Sequence, residues 1–173
     1  TSFIKVDRNY TSREVYLKKE TYQAFIKMYK EATAHNIELN IISGTRSFSQ
    51  QKWIWNKKWK KHEALQESTK KAKNILKYSA MPSTSRHHWG TDIDLNNLEN
   101  DYFEKGEGKK VYEWLLKNAS KFGFHQVYTN KENGRTGYEM EKWHWSYMPL
   151  ASKYLQAYNE KITNNDISGF KGE

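Results

Sequence analysis

The stretch SRHHWGTDIDLNN, residues 85–97, gathers two histidines, a glycine and two aspartates within thirteen positions. In an extended segment alternate side chains share a face, so Asp92 and Asp94 point together while Ile93 and Leu95 point toward a core. Two carboxylates held side by side away from water need a counter-charge. A divalent cation supplies one. His87 lies seven residues before Asp94, and Gly90 between them permits a sharp loop that brings imidazole and carboxylate to the same ion. His88, next in the chain, competes for that role, and the plain alternative to a metal site is a polar loop. The chain has no cysteine, so disulfides, thiolate catalysis and cysteine metal sites are excluded, and any metal must be held by His and carboxylates.

A second stretch, EMEKWHWSY at 139–147, adds Glu141 and His144. With His144 the set becomes two histidines and one carboxylate, the donor set of zinc hydrolases that leave one position for water, and Glu141 is the natural general base. Strict strand alternation would put Glu141 and His144 on opposite faces. Glu141 is therefore expected on the turn or bulge before the strand. A third stretch, SGTRSFSQQ at 43–51, sets Arg46 after a glycine turn, where a fixed guanidinium can bind a carboxylate or an oxyanion with Ser47 and Gln51 as polar support.

These residues require elements to hold them. Tyr22, Phe25, Ile26 and Tyr29 recur at helical spacing in residues 11–36, with Thr11 and Glu14 as a capping box. Residues 37–44 read as a strand, 49–78 as a strongly basic helical region, 91–96 as a short strand and 108–123 as a helix capped by Gly123. Residues 124–128 and 142–148 read as strands around a loop or hairpin connection, and 149–162 as a helix with Pro149 in its first turn. The pattern predicts an α+β fold: a small, mainly antiparallel sheet with helices around it and a metal cleft at one edge. Residues 1–164 are expected to form one domain and 165–173 a frayed tail.

The three stretches occur together as Ser-x-His-x-x-Gly-x-x-x-Asp (Ser85, His87, Gly90, Asp94), Glu-x-x-His-Trp (Glu141, His144, Trp145) and Ser-Gly-x-Arg-Ser (Ser43, Gly44, Arg46, Ser47). In that combination the chain resembles the VanY-like D-alanyl-D-alanine carboxypeptidases, within the wider lysostaphin, D-Ala-D-Ala peptidase and hedgehog-type group, over residues 40–160. The resemblance implies zinc held by His87, Asp94 and His144, its register selecting His87 over His88. It also implies Glu141 as the base that moves a proton from the attacking water to the leaving amine, and Arg46 as an anchor for substrate. Ser47, Gln51, Ser85 and Trp145 would line the pocket. The implied reaction removes terminal D-alanine from peptidoglycan stem peptides, outside the cytoplasmic membrane. An L,D-carboxypeptidase or a peptidoglycan endopeptidase fits the same motifs. Two positions depart from the family pattern: Asp92 stands where alanine is common, and Thr45 where tyrosine is. Asp92 is a candidate partner for a ligand histidine.

Lys and Arg number 29 against 20 Asp and Glu, a net charge of +9, and mean hydropathy is −1.03. Such a field suits a polyanion. Most of the excess lies in 49–78, so the lysine-rich helix is expected to hold an anionic wall polymer or lipid headgroups, with Lys57, Lys58, Lys60 and Lys61 as contacts and the protein a monomer. A metal-dependent nuclease is the rival of a different class, but no phosphate-cradling loop or nucleic-acid module is present in the sequence, and no nucleic-acid partner is expected. An iron oxygenase would use a close His-x-Asp pair, which is missing. Trp53, Trp55 and Trp59 in the basic region are candidates for stacking on sugars or for covering the core, and the helical spacing of Trp55 and Trp59 favours core packing. The chain opens at Thr1 rather than Met, which leaves room for a signal or anchor upstream.

Overall fold

The structure, a computed structural model, describes residues 2–132 and 134–173. Strands β1 (Phe3–Lys5) and β2 (Tyr16–Lys18) form an antiparallel pair with Ile4 opposite Leu17. Helix α1 (Lys19–Ala34) follows at once and buries Thr21, Phe25, Met28 and Ala32, one stripe at helical period. The helix expected from residue 11 therefore begins eight residues later. Val15 and Leu17 are buried on either side of the exposed Tyr16, a strand alternation, and the Tyr16 carbonyl accepts from Thr45 N–H. These tertiary hydrogen bonds override the capping signal, and the Thr11 hydroxyl instead accepts from Arg13 N–H inside a turn.

The main sheet has four antiparallel strands in the order β3-β4-β6-β5: β3 (Ile41–Ser43), β4 (Asp92–Leu95), β5 (Phe124–Gln126) and β6 (His144–Tyr147). The strands are shorter than the sequence suggests at 37–44 and 124–128. On the core face Ile93, Leu95 and Trp145 pack with residues of α1 and with Val111, Trp114 and Leu115 of α4 (Gly106–Asn118). Each such aliphatic side chain contributes about 1.5–3 kcal/mol when fully buried. A 3-10 turn, Ala119–Phe122, extends α4 and ends at Gly123 with φ +82°, as the glycine cap requires. Helix α5 (Met148–Lys161) leaves β6 directly with Pro149 in its first turn.

The basic region is two helices rather than one, α2 (Phe48–Lys61) and α3 (Ser68–Ile75), separated by residues 62–67. Trp55, Trp59, Ile75 and Phe170 form a second apolar cluster. Residues expected to fray thus fold back: Phe170 is buried against Trp55 at 5.7 Å between ring centroids, and Trp55 Nε1 donates to the Lys171 carbonyl at 2.9 Å. Ile167 packs against the same cluster, so two apolar side chains of the tail cover it.

Candidate functional site

Strands β4 and β6 pair with Asp94 opposite His144, Ile93 opposite Trp145 and Asp92 opposite Ser146. Alternation then puts Asp92, Asp94, His144 and Ser146 on one face and sends Ile93 and Trp145 into the core. His87 reaches that face from the 3-10 turn Arg86–Trp89, which ends at Gly90 with φ +73°. That left-handed backbone is what calls for glycine, and a Cβ there would in addition push the exposed Phe3 ring aside from 2.5 Å.

The donor atoms of His87, Asp94 and His144 lie within 4.8 Å of one another, and all three residues are buried. His87 Nε2 is 3.4 Å and His144 Nδ1 3.3 Å from Asp94 Oδ1. A tetrahedral ion with bonds of about 2.1 Å holds its donors about 3.4 Å apart, which both distances to Asp94 match. The outer ring nitrogens settle which lone pairs face inward. His87 Nδ1 donates to the Gly44 carbonyl at 2.7 Å, leaving Nε2 as a bare acceptor. His144 Nε2 donates to Asp92 Oδ2 at 2.8 Å, leaving Nδ1. His87 Nε2 and Asp94 Oδ1 are buried without a hydrogen-bond partner, a costly state that coordination of a cation would relieve.

The electrostatics agree with the geometry. Burial, helped by the Arg46 guanidinium, pushes His87 below its ordinary pKa. Burial acts upward on Asp94, but the two imidazoles outweigh it and hold the carboxyl well below the usual carboxylate range. On His144 burial acts downward, and the Asp92 hydrogen bond together with the nearby Asp94 and Glu141 carboxylates outweighs it, so the ring is raised well above its ordinary value. Three carboxylates around one imidazole attract positive charge, whether a proton or a metal ion.

Glu141 sits on the turn that precedes β6, where His144 N–H meets the Glu141 carbonyl at 3.4 Å. Its backbone is pinned by Tyr128, whose carbonyl accepts from Glu141 N–H at 2.9 Å, and by Gln126 Nε2, which donates to its carbonyl at 3.0 Å. The buried carboxylate, Oε2, comes to 3.4 Å from His144 Nδ1, beside the three donors. The turn resolves the conflict with strand alternation. Glu139, the other acid in the motif, points away and pairs with Lys131 at 2.7 Å.

A cleft of about 650 Å³ opens over these groups, lined by Arg46, Lys58, Asn100, Glu141 and Trp143 among others. It adjoins a small recess walled by Arg46, Gln51, Ser85, Tyr128 and Tyr138. Gln51 is buried; its Nε2 donates to the Ala80 carbonyl at 2.7 Å, while its Oε1 has no partner. Arg46 Nε is likewise buried without one. Ser85 is buried in the recess wall.

Three expectations change. Trp145 does not face substrate: it lies on the core side of β6, 2% exposed, with Nε1 donating to the Lys142 carbonyl. Ser47 caps α2, its hydroxyl accepting from Gln50 N–H at 3.2 Å while Gln50 Oε1 accepts from Ser47 N–H, and it lines neither cavity. Lys58 turns into the cleft and donates to Ser79 Oγ at 2.7 Å instead of joining the solvated lysine face. His88 is no ligand; its Nδ1 donates to the Arg46 carbonyl at 2.7 Å and its Nε2 accepts from Ser83 N–H at 3.2 Å, so it braces the Arg46 backbone.

Sequence reasoning singled out neither Arg86 nor the tyrosines. The Arg86 guanidinium donates from Nε to Asp92 Oδ2 at 2.9 Å and to Ser146 Oγ at 2.6 Å, and the Thr91 and Ser146 hydroxyls donate to Asp92 Oδ1 at 2.7 and 2.8 Å. Asp92 thereby carries four hydrogen bonds while fully buried. Tyr128 packs on the His144 ring at 4.7 Å between centroids. The one available signal was the Arg86–Asp92 pair flanking the motif, opposite charges at both ends of a tight turn.

The sequence profile of the VanY D-alanyl-D-alanine carboxypeptidase family matches residues 14–150. The chain belongs to the VanY family. The match takes in every group of this VanY-type site, and leaves out β1, most of α5 and the docked tail. Relatives include the putative carboxypeptidase YodJ of Bacillus subtilis, 32% identical over 145 residues that cover 82% of this chain and 50% of that protein. A D-alanyl-D-alanine carboxypeptidase of Enterococcus faecalis is 30% identical over 124 residues, 71% of this chain and 45% of its own. The chain thus spans about half the length of these curated relatives. Among solved structures, VanYB in complex with D-alanine-D-alanine aligns with a TM-score of 0.69 at 24% identity, covering 94% of this chain and 90% of that one. A vancomycin-resistance VanY D,D-pentapeptidase variant in complex with Zn(II) gives 0.68 at 24%, over 90% and 84% of the two chains. The LdcB LD-carboxypeptidase gives 0.62 at 28%, over 88% and 66%. The fold is therefore that of the VanY peptidases.

Proposed function

We propose that the domain is a zinc-dependent carboxypeptidase that removes the terminal D-alanine from peptidoglycan stem peptides outside the cytoplasmic membrane. The observation that carries this reading is the convergence of His87 Nε2, Asp94 Oδ1 and His144 Nδ1 beside the Glu141 carboxylate. A zinc ion bound by the three supplies Lewis-acid activation of water and of the scissile carbonyl. Glu141 takes a proton from the attacking water, whose oxygen bonds to the carbonyl carbon. As the C–N bond breaks, Glu141 delivers that proton to the leaving amine. Arg46 and the Ser85 hydroxyl bind the free carboxylate of the substrate in the recess, and Gln51 Oε1 accepts from the N–H of the terminal residue. The Arg46 guanidinium on the wall shared by recess and cleft suits the free carboxylate of a chain end, which favours exopeptidase over endopeptidase action.

Mass analysis of a stem pentapeptide ending in D-Ala-D-Ala tests the reading. Loss of one alanine, abolished by chelation and by Glu141→Gln, is expected; internal scission, or no cleavage of this peptide, refutes it. The 28% identity to LdcB favours an L,D-carboxypeptidase as second reading, for which the tetrapeptide and not the pentapeptide is trimmed.

A further inference from the structure

A separate cleft of about 480 Å³ lies between the β2 approach, β3 and the first turns of α2, within the range of about 300–1,000 Å³ typical of small-ligand sites. It shares Arg46 and Ile54 with the cleft over the metal trio, so the two are contiguous through one wall. Its lining includes Val15, Ile42 and Ile54, and Trp53 joins them with 63% of its surface exposed. Lys57 Nζ steadies the indole from 4.8 Å. Single exposed aromatics need no explanation, but this one lines a concave, partly apolar site. Around it stand donors not otherwise used: among the described residues the Arg13 guanidinium, the Ser49 hydroxyl and Gln50 Nε2 have no hydrogen-bond or ion-pair partner.

We propose that this cleft binds a pyranose ring of the glycan strand, with Trp53 as stacking platform and Arg13, Ser49 and Gln50 bonding the ring's polar substituents. A pyranose has an apolar C–H face and a polar edge, which matches an indole platform with a polar rim. A polyphosphate chain fits less well, because the rim sets Glu14 beside Arg13. An apolar peptide would bury the free donors without partners. The inference rests on the proposed peptidoglycan reading, since it needs sugar and stem peptide to be covalently joined and the two clefts to share the Arg46 wall.

Two measurements test it. Heteronuclear NMR titration with a tetramer of N-acetylglucosamine, which needs no turnover, is expected to shift the Trp53 indole signal, with affinity falling about fivefold or more in Trp53→Ala. Absence of binding, or equal binding by the variant, overturns the proposal. In parallel, the ratio of kcat/KM for disaccharide-pentapeptide over free pentapeptide is expected to exceed one in the wild type and to fall toward one in Trp53→Ala. A ratio of one in the wild type overturns the glycan site while leaving the carboxypeptidase reading intact. Failure to cleave either substrate overturns the D,D-carboxypeptidase reading, and the NMR titration then decides the glycan site alone.

Discussion

Replacing Asp92 with asparagine isolates the role of a buried carboxylate that never touches the metal position. Asp92 Oδ2 receives His144 Nε2 and Arg86 Nε, and Oδ1 receives the Thr91 and Ser146 hydroxyls. An asparagine can keep its oxygen toward His144 and Arg86 and its amide toward the hydroxyls, which rotate to accept. The number of hydrogen bonds survives, and the negative charge does not. A charge-assisted bond is about twice as strong as a neutral one, so the imidazole N–H loses about 1–1.5 kcal/mol of support, and Nδ1 becomes a poorer donor to zinc. Loss of such a partner costs about 10–100-fold in metal affinity. Competition against a chromophoric chelator at fixed pH measures it, with circular dichroism as the check on folding. A folded Asp92→Asn protein that binds zinc within about twofold of wild type refutes the reasoning, being smaller than any effect assigned to such partners. Asp92→Ala is less informative, because it strips the partner from a guanidinium only 12% exposed and costs about 3–5 kcal/mol of stability.

Glu141→Gln should keep zinc and lose about 10²–10⁴ in kcat, and near-normal turnover contradicts its role as base. Trp145→Ala should cost about 3–5 kcal/mol in urea unfolding, whereas a pure KM effect at wild-type stability contradicts its core position. Burial pushes the Tyr138 phenol up to about 12 from 10.0, so the stability it lends is intact below pH 10 and is lost as pH rises toward 12. Tyr138→Phe should flatten that alkaline limb, and parallel curves for the two proteins would contradict it. Replacing Lys57, Lys60 and Lys61, all exposed, with Gln should weaken binding to isolated anionic wall polymer at low salt, and unchanged binding there rules out the lysine face as its contact.

The metal trio was legible because its spacing encodes local geometry. Two ligands sit on paired strands whose period is two, and the third on a turn that only Gly90 permits. Glu141 was legible in residue and in place, since its spacing from His144 conflicts with the strand period and so requires the turn on which it sits. Trp145 was misread because its motif neighbour His144 faces the site, and in a strand adjacent residues face opposite ways. Ser47 and Lys58 depend on how α2 is seated: the first is used by the helix end, and the second is turned inward by the long-range partner Ser79. The start of α1 was missed because β2 gains its hydrogen bonds from Thr45 and Gly90, remote in sequence. The tail docks on a tryptophan more than a hundred positions away, which no local pattern signals.

Anomalous diffraction at the zinc edge from crystals of the zinc-loaded protein tests the central claim most directly. A single strong peak within about 2.0–2.2 Å of His87 Nε2, Asp94 Oδ1 and His144 Nδ1 is expected. A peak elsewhere, or none at these three atoms, would contradict it.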